Sequence, residues 1–319
     1  MRRTSGTAIL ALAIALTFGA VGTAQAVVPL EPVLTGPSDT WSAFANDDYL
    51  VYTLWKRSAP KTYSALAKPL AGGPTTKLNR AGTRGFTGNL VPGTNRAIYQ
   101  EWTGKGSNVY FYDLDTGQRS APPGVNTKAW EWQPLVSTNF VFFARDRYRN
   151  GNWYTSLLIR RRSDGVTRTL GTWNWDPNLV FIGSVGERYA TYTLCTRRNC
   201  FAYLYDWDTS TKRRIPTVND RSQYAPVVDE VNGTVYFSRS GQKCGSSVAI
   251  WRLPLELTGT ATKIVALPRG IDTGWTSSLT ANGTTGQMDL WIERWNCSQE
   301  NADVVVARGV DLGPAPTGG

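Results

Sequence analysis

Residues 86–119 read FTGNLVPGTNRAIYQEWTGKGSNVYFYDLDTGQR, a series of short β-forming segments separated by residues that favour turns. The turn residues are Pro92-Gly93-Thr94-Asn95, Gly104-Lys105-Gly106 and Asp115-Thr116-Gly117. Because Gly, Pro, Asn and Asp readily adopt the backbone angles of tight turns, the pattern predicts strands at Phe86–Val91, Arg96–Trp102, Val109–Leu114 and from Arg119 onward. Four short strands with tight connections form one blade of a β-propeller.

The same unit recurs along the chain. A β-forming residue followed by an aromatic residue returns at intervals of roughly 48 residues, a spacing typical of radial repeats. The six pairs are Val51-Tyr52, Ile98-Tyr99, Val141-Phe142, Thr191-Tyr192, Val235-Tyr236 and Leu290-Trp291. A second aromatic residue precedes each pair, namely Trp41, Phe86, Trp132, Trp175, Tyr224 and Trp275. The two markers predict an all-β fold, a six-bladed β-propeller of four-stranded antiparallel blades.

The two ends of the chain differ from the repeats. Arg2 and Arg3 precede an apolar run, and Ala24-Gln25-Ala26 follows it, which predicts a signal peptide at 1–26 with cleavage after Ala26. We expect a secreted protein with its propeller at 27–312 and a disordered tail at 313–319. The segment Val27–Leu34 is predicted to close the ring by pairing with the strand Val304–Arg308.

Cysteine and histidine usage narrows the chemistry. The chain has four cysteines and no histidine. In an oxidising compartment an even cysteine count predicts disulfides, here Cys195–Cys200 across a hairpin turn and Cys244–Cys297 between neighbouring units. The lack of histidine excludes Ser-His-Asp catalysis and His-ligated metals. We predict no cofactor and no metal site.

Carboxylates are the groups left for catalysis. Glu101, Asp146, Glu293 and Asp303 are the candidates, since two acids at a propeller channel could support glycoside cleavage. The competing interpretation is that these acids form ion pairs with the many arginines nearby.

Charges are predicted to separate between the two faces of the ring. The loops between second and third strands carry mostly Lys and Arg, whereas the other turns carry mostly Asp and Glu. Aromatic residues occur beside the basic ones, and rings next to arginines suit sugar stacking and binding of acidic groups. The candidate ligand-binding residues are Trp55, Trp102, Arg145, Arg147, Arg149, Arg197, Arg198, Arg239 and Arg294. Alternatively, the aromatic residues that begin each unit wedge between blades.

Several segments resemble the repeat of the TolB-like, WD-related propellers. They are NVYFYDLDTGQ (Asn108 to Gln118), FAYLYDWDTST (Phe201 to Thr211), Trp132-Gln133-Pro134, Trp175-Asp176-Pro177 and Tyr224-Ala225-Pro226. The Asp-Gly that follows the W-x-P triplet in that repeat is missing here. The resemblance implies a scaffold used mainly for binding and protein interaction.

These observations favour a secreted, monomeric, non-catalytic module whose basic and aromatic face binds an acidic partner. The net charge of +10 points to an anionic polysaccharide, a cell-wall polymer or a protein, and we expect neither nucleic acid nor a membrane span. Two alternatives stay open: a glycan-binding lectin with Trp and Arg pockets between blades, and a glycoside hydrolase or lyase that uses channel carboxylates or a Tyr and Arg pair.

Overall fold

A computed structural model describes residues 29–35, 39–56, 62–216, 222–240, 248–266, 271–282, 287–296 and 301–310. Every regular element in these ranges is a β-strand. The strands of the first half are β1 (Leu30–Leu34), β2 (Asp39–Ala45), β3 (Tyr49–Lys56), β4 (Thr62–Pro69), β5 (Thr76–Lys77), β6 (Arg84–Leu90), β7 (Arg96–Trp102), β8 (Ser107–Asp113), β9 (Arg119–Ser120), β10 (Trp130–Val136), β11 (Phe140–Arg149) and β12 (Asn152–Arg161). Those of the second half are β13 (Thr167–Asn174), β14 (Leu179–Val185), β15 (Tyr189–Cys195), β16 (Cys200–Asp206), β17 (Thr211–Arg214), β18 (Ser222–Asp229), β19 (Thr234–Ser240), β20 (Ala249–Pro254), β21 (Thr262–Ala266), β22 (Ile271–Asn282), β23 (Gln287–Asn296) and β24 (Asn301–Val310).

The strands form six antiparallel sheets of four, which confirms the predicted six-bladed propeller. Five blades are meanders of consecutive strands, and the sixth has the order β1-β24-β23-β22. All six β-former and aromatic pairs lie on the second strand of their blade and are buried, as Ile98 and Tyr99 illustrate. The repeat marker therefore identifies the strand at the centre of each blade.

The core consists of six apolar clusters, and each cluster joins two consecutive blades. Tyr99 and Val51, for example, belong to the cluster between the first and second blades. Leu50 and Trp291 belong to the cluster between the first and sixth blades. Because each sheet buries side chains on both faces in this way, every blade depends on two neighbours for its stability.

The N-terminal strand is part of the sixth blade. β1 pairs antiparallel with β24, with Leu30 opposite Ala307 and Leu34 opposite Val304. That this pairing is what closes the ring stays a prediction.

In each blade a β-bulge interrupts one strand at an equivalent place; we call these six strands the inner strands, namely β2, β6, β10, β14, β18 and β22. At two junctions a glycine in one bulge faces a proline carbonyl in the next. A Cβ on Gly88 would lie 1.8 Å from the Pro134 carbonyl oxygen, and one on Gly183 would lie 2.2 Å from that of Pro226. Glycine is therefore required where the inner strands approach most closely.

The fourth unit corrects one assignment made from the sequence. Trp175 precedes β14, and its loop contains a cis peptide bond between Asp176 and Pro177. Phe181, which lies opposite Thr193, occupies the place that Trp41 has opposite Thr53 in the first blade. The Trp-Asp-Pro triplet thus belongs to the loop between the third and fourth blades.

Other expectations fall outside this description. Residues 1–28 and 311–319, and with them the predicted signal peptide and tail, lie outside the described residues, as do Cys244 and Cys297. Across the described ranges, no helix is long and apolar enough to cross a membrane.

Candidate functional site

The strongest candidate site lies on the hairpin of β11 and β12 in the third blade. Both strands have ten residues, and the turn is Asn150-Gly151, with φ of 48° and 80°. An Asn-Gly pair at positive φ is the preferred two-residue hairpin turn. Trp130, the first residue of β10, lies opposite Asp146, so the last three residues of β11 extend past the inner strand.

One side of this hairpin is basic. Side chains alternate between the two faces of a strand, so Arg145, Arg147 and Arg149 share one face. They lie opposite Ser156, Tyr154 and Asn152 on β12. Together with residues of β12 and β13, the three arginines line an open cavity of about 570 Å³.

The three arginines have different partners. Arg145 is only 11% exposed; its Nε donates to Glu131 Oε1 at 2.8 Å and its Nη2 to the Val125 carbonyl at 2.7 Å. Arg147 and Arg149 are exposed, and no carboxylate among the described residues lies within ion-pair distance of either one. Two guanidinium groups thus keep their charge available to a ligand.

The other side of the hairpin is aromatic. Tyr148 and Trp153 lie opposite each other in the register, with ring centroids 5.4 Å apart. Trp153 stacks on Trp175 at 5.7 Å and also contacts Trp130 at 5.0 Å. Trp130 in turn lies 6.0 Å from Trp102, so a row of rings runs from the second blade to the start of the fourth.

A buried carboxylate fixes this aromatic side. Asp146 is 4% exposed and accepts a hydrogen bond from Thr155 Oγ1 at 2.6 Å. The indole Nε1 of Trp175 donates to the same Thr155 oxygen at 2.6 Å. Burial raises the pKa of Asp146 above its ordinary value, and these hydrogen bonds offset that effect only in part. Asp146 therefore acts as an anchor beneath the rings.

The neighbouring loop is also constrained. The predicted disulfide Cys195–Cys200 is present and closes the turn between β15 and β16. Arg197 in this turn forms an ion pair with Asp176 at 3.0 Å. The pair joins the disulfide-closed turn to the loop that carries Trp175. Arg198 is exposed in the same turn.

Among the remaining candidate residues, Trp102 ends the row of rings through its contact with Trp130, and the others do not join this site. Trp55 stacks on Tyr63 at 5.7 Å in the first blade, and Trp102 lies under the Arg84 guanidinium at 4.7 Å. Arg239 is 5% exposed and packs over Trp251, with its guanidinium carbon 4.8 Å from the ring centroid. Arg294 forms an ion pair with Asp303 at 3.1 Å. Arg239 and Arg294 thus contact side chains of their own blades rather than the hairpin.

Three of the four candidate catalytic carboxylates are held by neighbouring side chains. Glu101 is fully buried and pairs with Arg80 at 2.6 Å and Arg119 at 2.9 Å. Burial alone would raise its pKa, but the hydrogen bonds from Arg80 and the charges of both arginines lower it below the ordinary value. Asp303 is held by Arg294, and Asp146 by Thr155. The competing interpretation, that the acids form ion pairs with nearby arginines, holds for Glu101 and Asp303, whereas Asp146 is held by a threonine hydroxyl.

Glu293 differs from the other acids. Burial, together with the nearby charge of Asp39, raises its pKa from 4.5 to about 7. Its Oε2 accepts a hydrogen bond from the Ser42 backbone N–H at 2.9 Å. In the part of the chain that the structure describes, no group of three acidic or cysteine side chains is placed to hold a metal ion.

Two acids of the face that the sequence predicts to be negative form ion pairs with arginines. Asp206 pairs with Arg188 at 2.7 Å, and Asp164 pairs with Arg161. These arginines lower the pKa of both aspartates to about 2. Part of the predicted negative charge is therefore compensated by arginines on the same blade.

The sequence indicated the arginines of the site and Trp102, but not the rest of its aromatic side. Tyr148 and Trp153 on that side, and Tyr154 opposite Arg147 on the basic side, are not among the predicted residues. The signal that could have identified them is the segment from Arg145 to Tyr154, in which arginine recurs at every second position before Asn150-Gly151. That alternation predicts a two-faced hairpin.

Comparison with known proteins supports the fold. No protein-family model matches the chain, and no curated protein matches it in sequence. TolB from Acinetobacter baumannii superposes with a TM-score of 0.54 and 11% identity, over 83% of this chain and 65% of the TolB chain. The chain thus spans slightly less than two thirds of TolB.

Two further solved structures share the propeller. Oligogalacturonate lyase in complex with manganese gives a TM-score of 0.52 and 12% identity, over 86% of this chain and 85% of the other. The β-propeller domain of the Trilobed protease from Pyrococcus furiosus gives 0.52 and 10% identity, over 85% and 96%. At these identities the similarity shows a TolB-like β-propeller fold and nothing about activity.

Proposed function

We propose that the protein is a binding module that holds an acidic partner on the β11–β12 hairpin. The observation that carries the proposal is the open cavity of about 570 Å³ lined by Arg145, Arg147 and Arg149. A guanidinium group offers a planar fork of donors that matches a carboxylate, sulfate or phosphate group. Two such groups without an internal carboxylate make this the best supported anion site in the described residues.

The charge of the whole chain supports the same partner class. The net charge of +10, which falls to +8 when Arg2 and Arg3 are removed with the proposed signal peptide, attracts polyanions over distances longer than a contact and so raises their rate of association. We further propose that residues 1–26 are a cleaved signal peptide and that the module acts outside the cell or in its envelope. Polyanions available there are acidic polysaccharides, wall polymers and acidic proteins.

A binding role fits the described carboxylates better than catalysis does. Glu101 and Asp303 are each engaged by arginine, and Asp146 lies under the aromatic rings. Catalysis by a pair of carboxylates needs two acids that face one accessible bond. The fold itself does not decide the question, because similar propellers occur in TolB and in enzymes.

Binding to immobilised acidic polymers tests the proposal. The variant Arg147→Ala/Arg149→Ala should bind at least about tenfold more weakly than wild type at about 0.15 M ionic strength, where exposed charges are only partly screened. The matched control is Lys77→Ala/Lys263→Ala, which removes two exposed charges from outer strands. Equal loss of binding in both variants would show that only net charge matters. Unchanged binding in the arginine variant would contradict the proposed site.

A further inference from the structure

We propose that the ligand of this hairpin is an acidic polysaccharide, with its sugar rings on Tyr148 and Trp175 and its acidic groups at Arg147 and Arg149. The inference rests on the proposed function and adds to it the class of polymer and a second, aromatic half of the site.

The first observation is the exposure of the rings. Tyr148 is 60% exposed, Trp175 43% and Leu179, at the start of β14, 55%. They account for three of the seven large hydrophobic residues that are exposed in the described part of the chain. Large aromatic side chains are usually buried, so exposed rings grouped at one place indicate a contact surface.

The second observation is that Trp175 is held in place although it is exposed. Its indole N–H donates a hydrogen bond to the Thr155 hydroxyl, and its ring stacks on Trp153 with an interplanar angle of 27°. An exposed ion pair between Asp176 and Arg197 also connects its loop to the disulfide-closed turn. A ring fixed before binding loses little conformational freedom when a ligand stacks on it, and this favours affinity.

The third observation is the alternation at the end of the hairpin. Tyr148 stands between Arg147 and Arg149 in sequence, and its side chain points to the opposite face of the strand. The two arginines are about 7 Å apart along the strand, at about 3.3 Å per residue. A small anion could occupy only the arginine side, whereas a polymer that crosses the end of the hairpin contacts both sides.

The combination of groups favours a saccharide over an acidic peptide. Sugar rings present flat C–H faces that pack on Trp and Tyr, and uronate or sulfate groups supply the charge for arginine. An acidic peptide satisfies the arginines equally well but has no repeated apolar face for the rings. The two polymers should therefore depend differently on the aromatic residues.

Two polyanions of similar charge separate the possibilities. We choose alginate, a polymer of uronic acids, and poly-L-glutamate, which has carboxylates but no sugar. Tyr148→Ala and Trp175→Ala should each weaken alginate binding by about tenfold, the scale of one lost aromatic contact with its buried area. Both variants should leave poly-L-glutamate binding within about twofold of wild type.

Conservative variants show whether a loss of binding comes from the missing ring or from misfolding. Tyr148→Phe and Trp175→Phe keep a ring and should retain most of the alginate affinity, and unfolding curves establish that each variant is folded. Tyr148 is exposed, so its substitution provides a readout even if Trp175→Ala proves unstable.

The outcomes are distinct. Loss of alginate binding alone in the Ala variants supports the inference. Equal effects on both polymers, or no effect of Tyr148→Ala on alginate, would overturn it. Failure of Arg147→Ala/Arg149→Ala to weaken either polymer would instead overturn the proposed function.

Discussion

The carboxylate of Glu293 on β23 accepts a hydrogen bond from the backbone N–H of Ser42 on β2, at 2.9 Å. This contact joins the sixth blade to the first at the bulge of an inner strand. Gln100 occupies the equivalent position in the second blade, where its Oε1 accepts from the Gln133 N–H of the third blade at 3.4 Å. The acceptor is therefore a carboxylate between the sixth and first blades and a neutral amide between the second and third blades.

The carboxylate of Glu293 predicts a pH dependence of stability. The pKa of Glu293 is raised to about 7 in the folded protein from 4.5. At Glu293 the folded state thus binds more protons than the unfolded state between these values, so the contribution of this residue to stability is greatest below pH 4.5 and is lost as the pH rises to about 7. The loss should be on the order of 3 kcal/mol in the free energy of unfolding.

Glu293→Gln should remove this loss, because glutamine keeps the acceptor for Ser42 without the buried charge. Urea unfolding at several pH values between 4.5 and 8 measures the effect. The variant should gain stability over wild type only towards high pH. The chain has no histidine that could produce the same profile. Parallel stability curves for the two proteins would contradict the role given to Glu293.

Gly88 on β6, the inner strand of the second blade, should be essential for the packing of the second blade against the third. In Gly88→Ala the new methyl group would collide with the Pro134 carbonyl and with Ile98, so the blades must separate. We expect a loss of about 1–3 kcal/mol or more in the free energy of unfolding, the range for overpacked sites. Gly106→Ala is the control, since its Cβ would meet Trp130 no closer than 3.7 Å. Similar stability of both variants would argue against the close approach.

The disulfide should stabilise its turn moderately. Cys195→Ser/Cys200→Ser opens a short loop, for which the chain-entropy relation gives at most about 2 kcal/mol. The backbone bond from the Thr196 N–H to the Asn199 carbonyl, at 2.9 Å, remains to hold the turn. Chemical unfolding should show a lower denaturant concentration at the midpoint and the same dependence of the free energy of unfolding on denaturant. A change in that dependence would indicate that the disulfide organises more than this turn.

Thr155 should be needed to position the aromatic side. Thr155→Val removes the donor to Asp146 and the acceptor for Trp175, at a cost of about 1–3 kcal/mol for buried groups left unpaired. Thr169→Val, on the exposed outer strand, is the control and should change stability by less than about 0.5 kcal/mol. Greater quenching of tryptophan fluorescence by acrylamide would accompany the release of Trp175. Unchanged quenching and stability would show that Thr155 does not anchor the ring.

The fold was largely predictable because each second strand carries its own local signal. The pairs such as Ile98-Tyr99 are buried on both sides by adjacent blades, so hydrophobicity and β-propensity agree there. The strand predicted at Arg96–Trp102 is found with those bounds. The error in the fourth unit has a local cause: Trp175-Asp176-Pro177 has the composition of a strand entry, but it precedes β14, and Phe181 takes the position opposite Thr193.

The site was only half predictable because ion pairing depends on contacts distant in sequence. Arg145 is neutralised by Glu131 from a different strand, and nothing in the local sequence distinguishes it from Arg147. Likewise, Trp175 is anchored by Thr155 from another strand of the third blade. Which arginines and rings are left available is decided by the packing of strands, which composition does not specify.

The crystal structure of the protein with a short alginate oligosaccharide would test the central claim most directly. We expect a uronate carboxylate within about 3 Å of the guanidinium of Arg147 or Arg149, the distance of a charged hydrogen bond. A sugar ring should lie over Tyr148 or Trp175. An oligosaccharide bound in the central channel or on other blades, with the β11–β12 hairpin unoccupied, would contradict the claim.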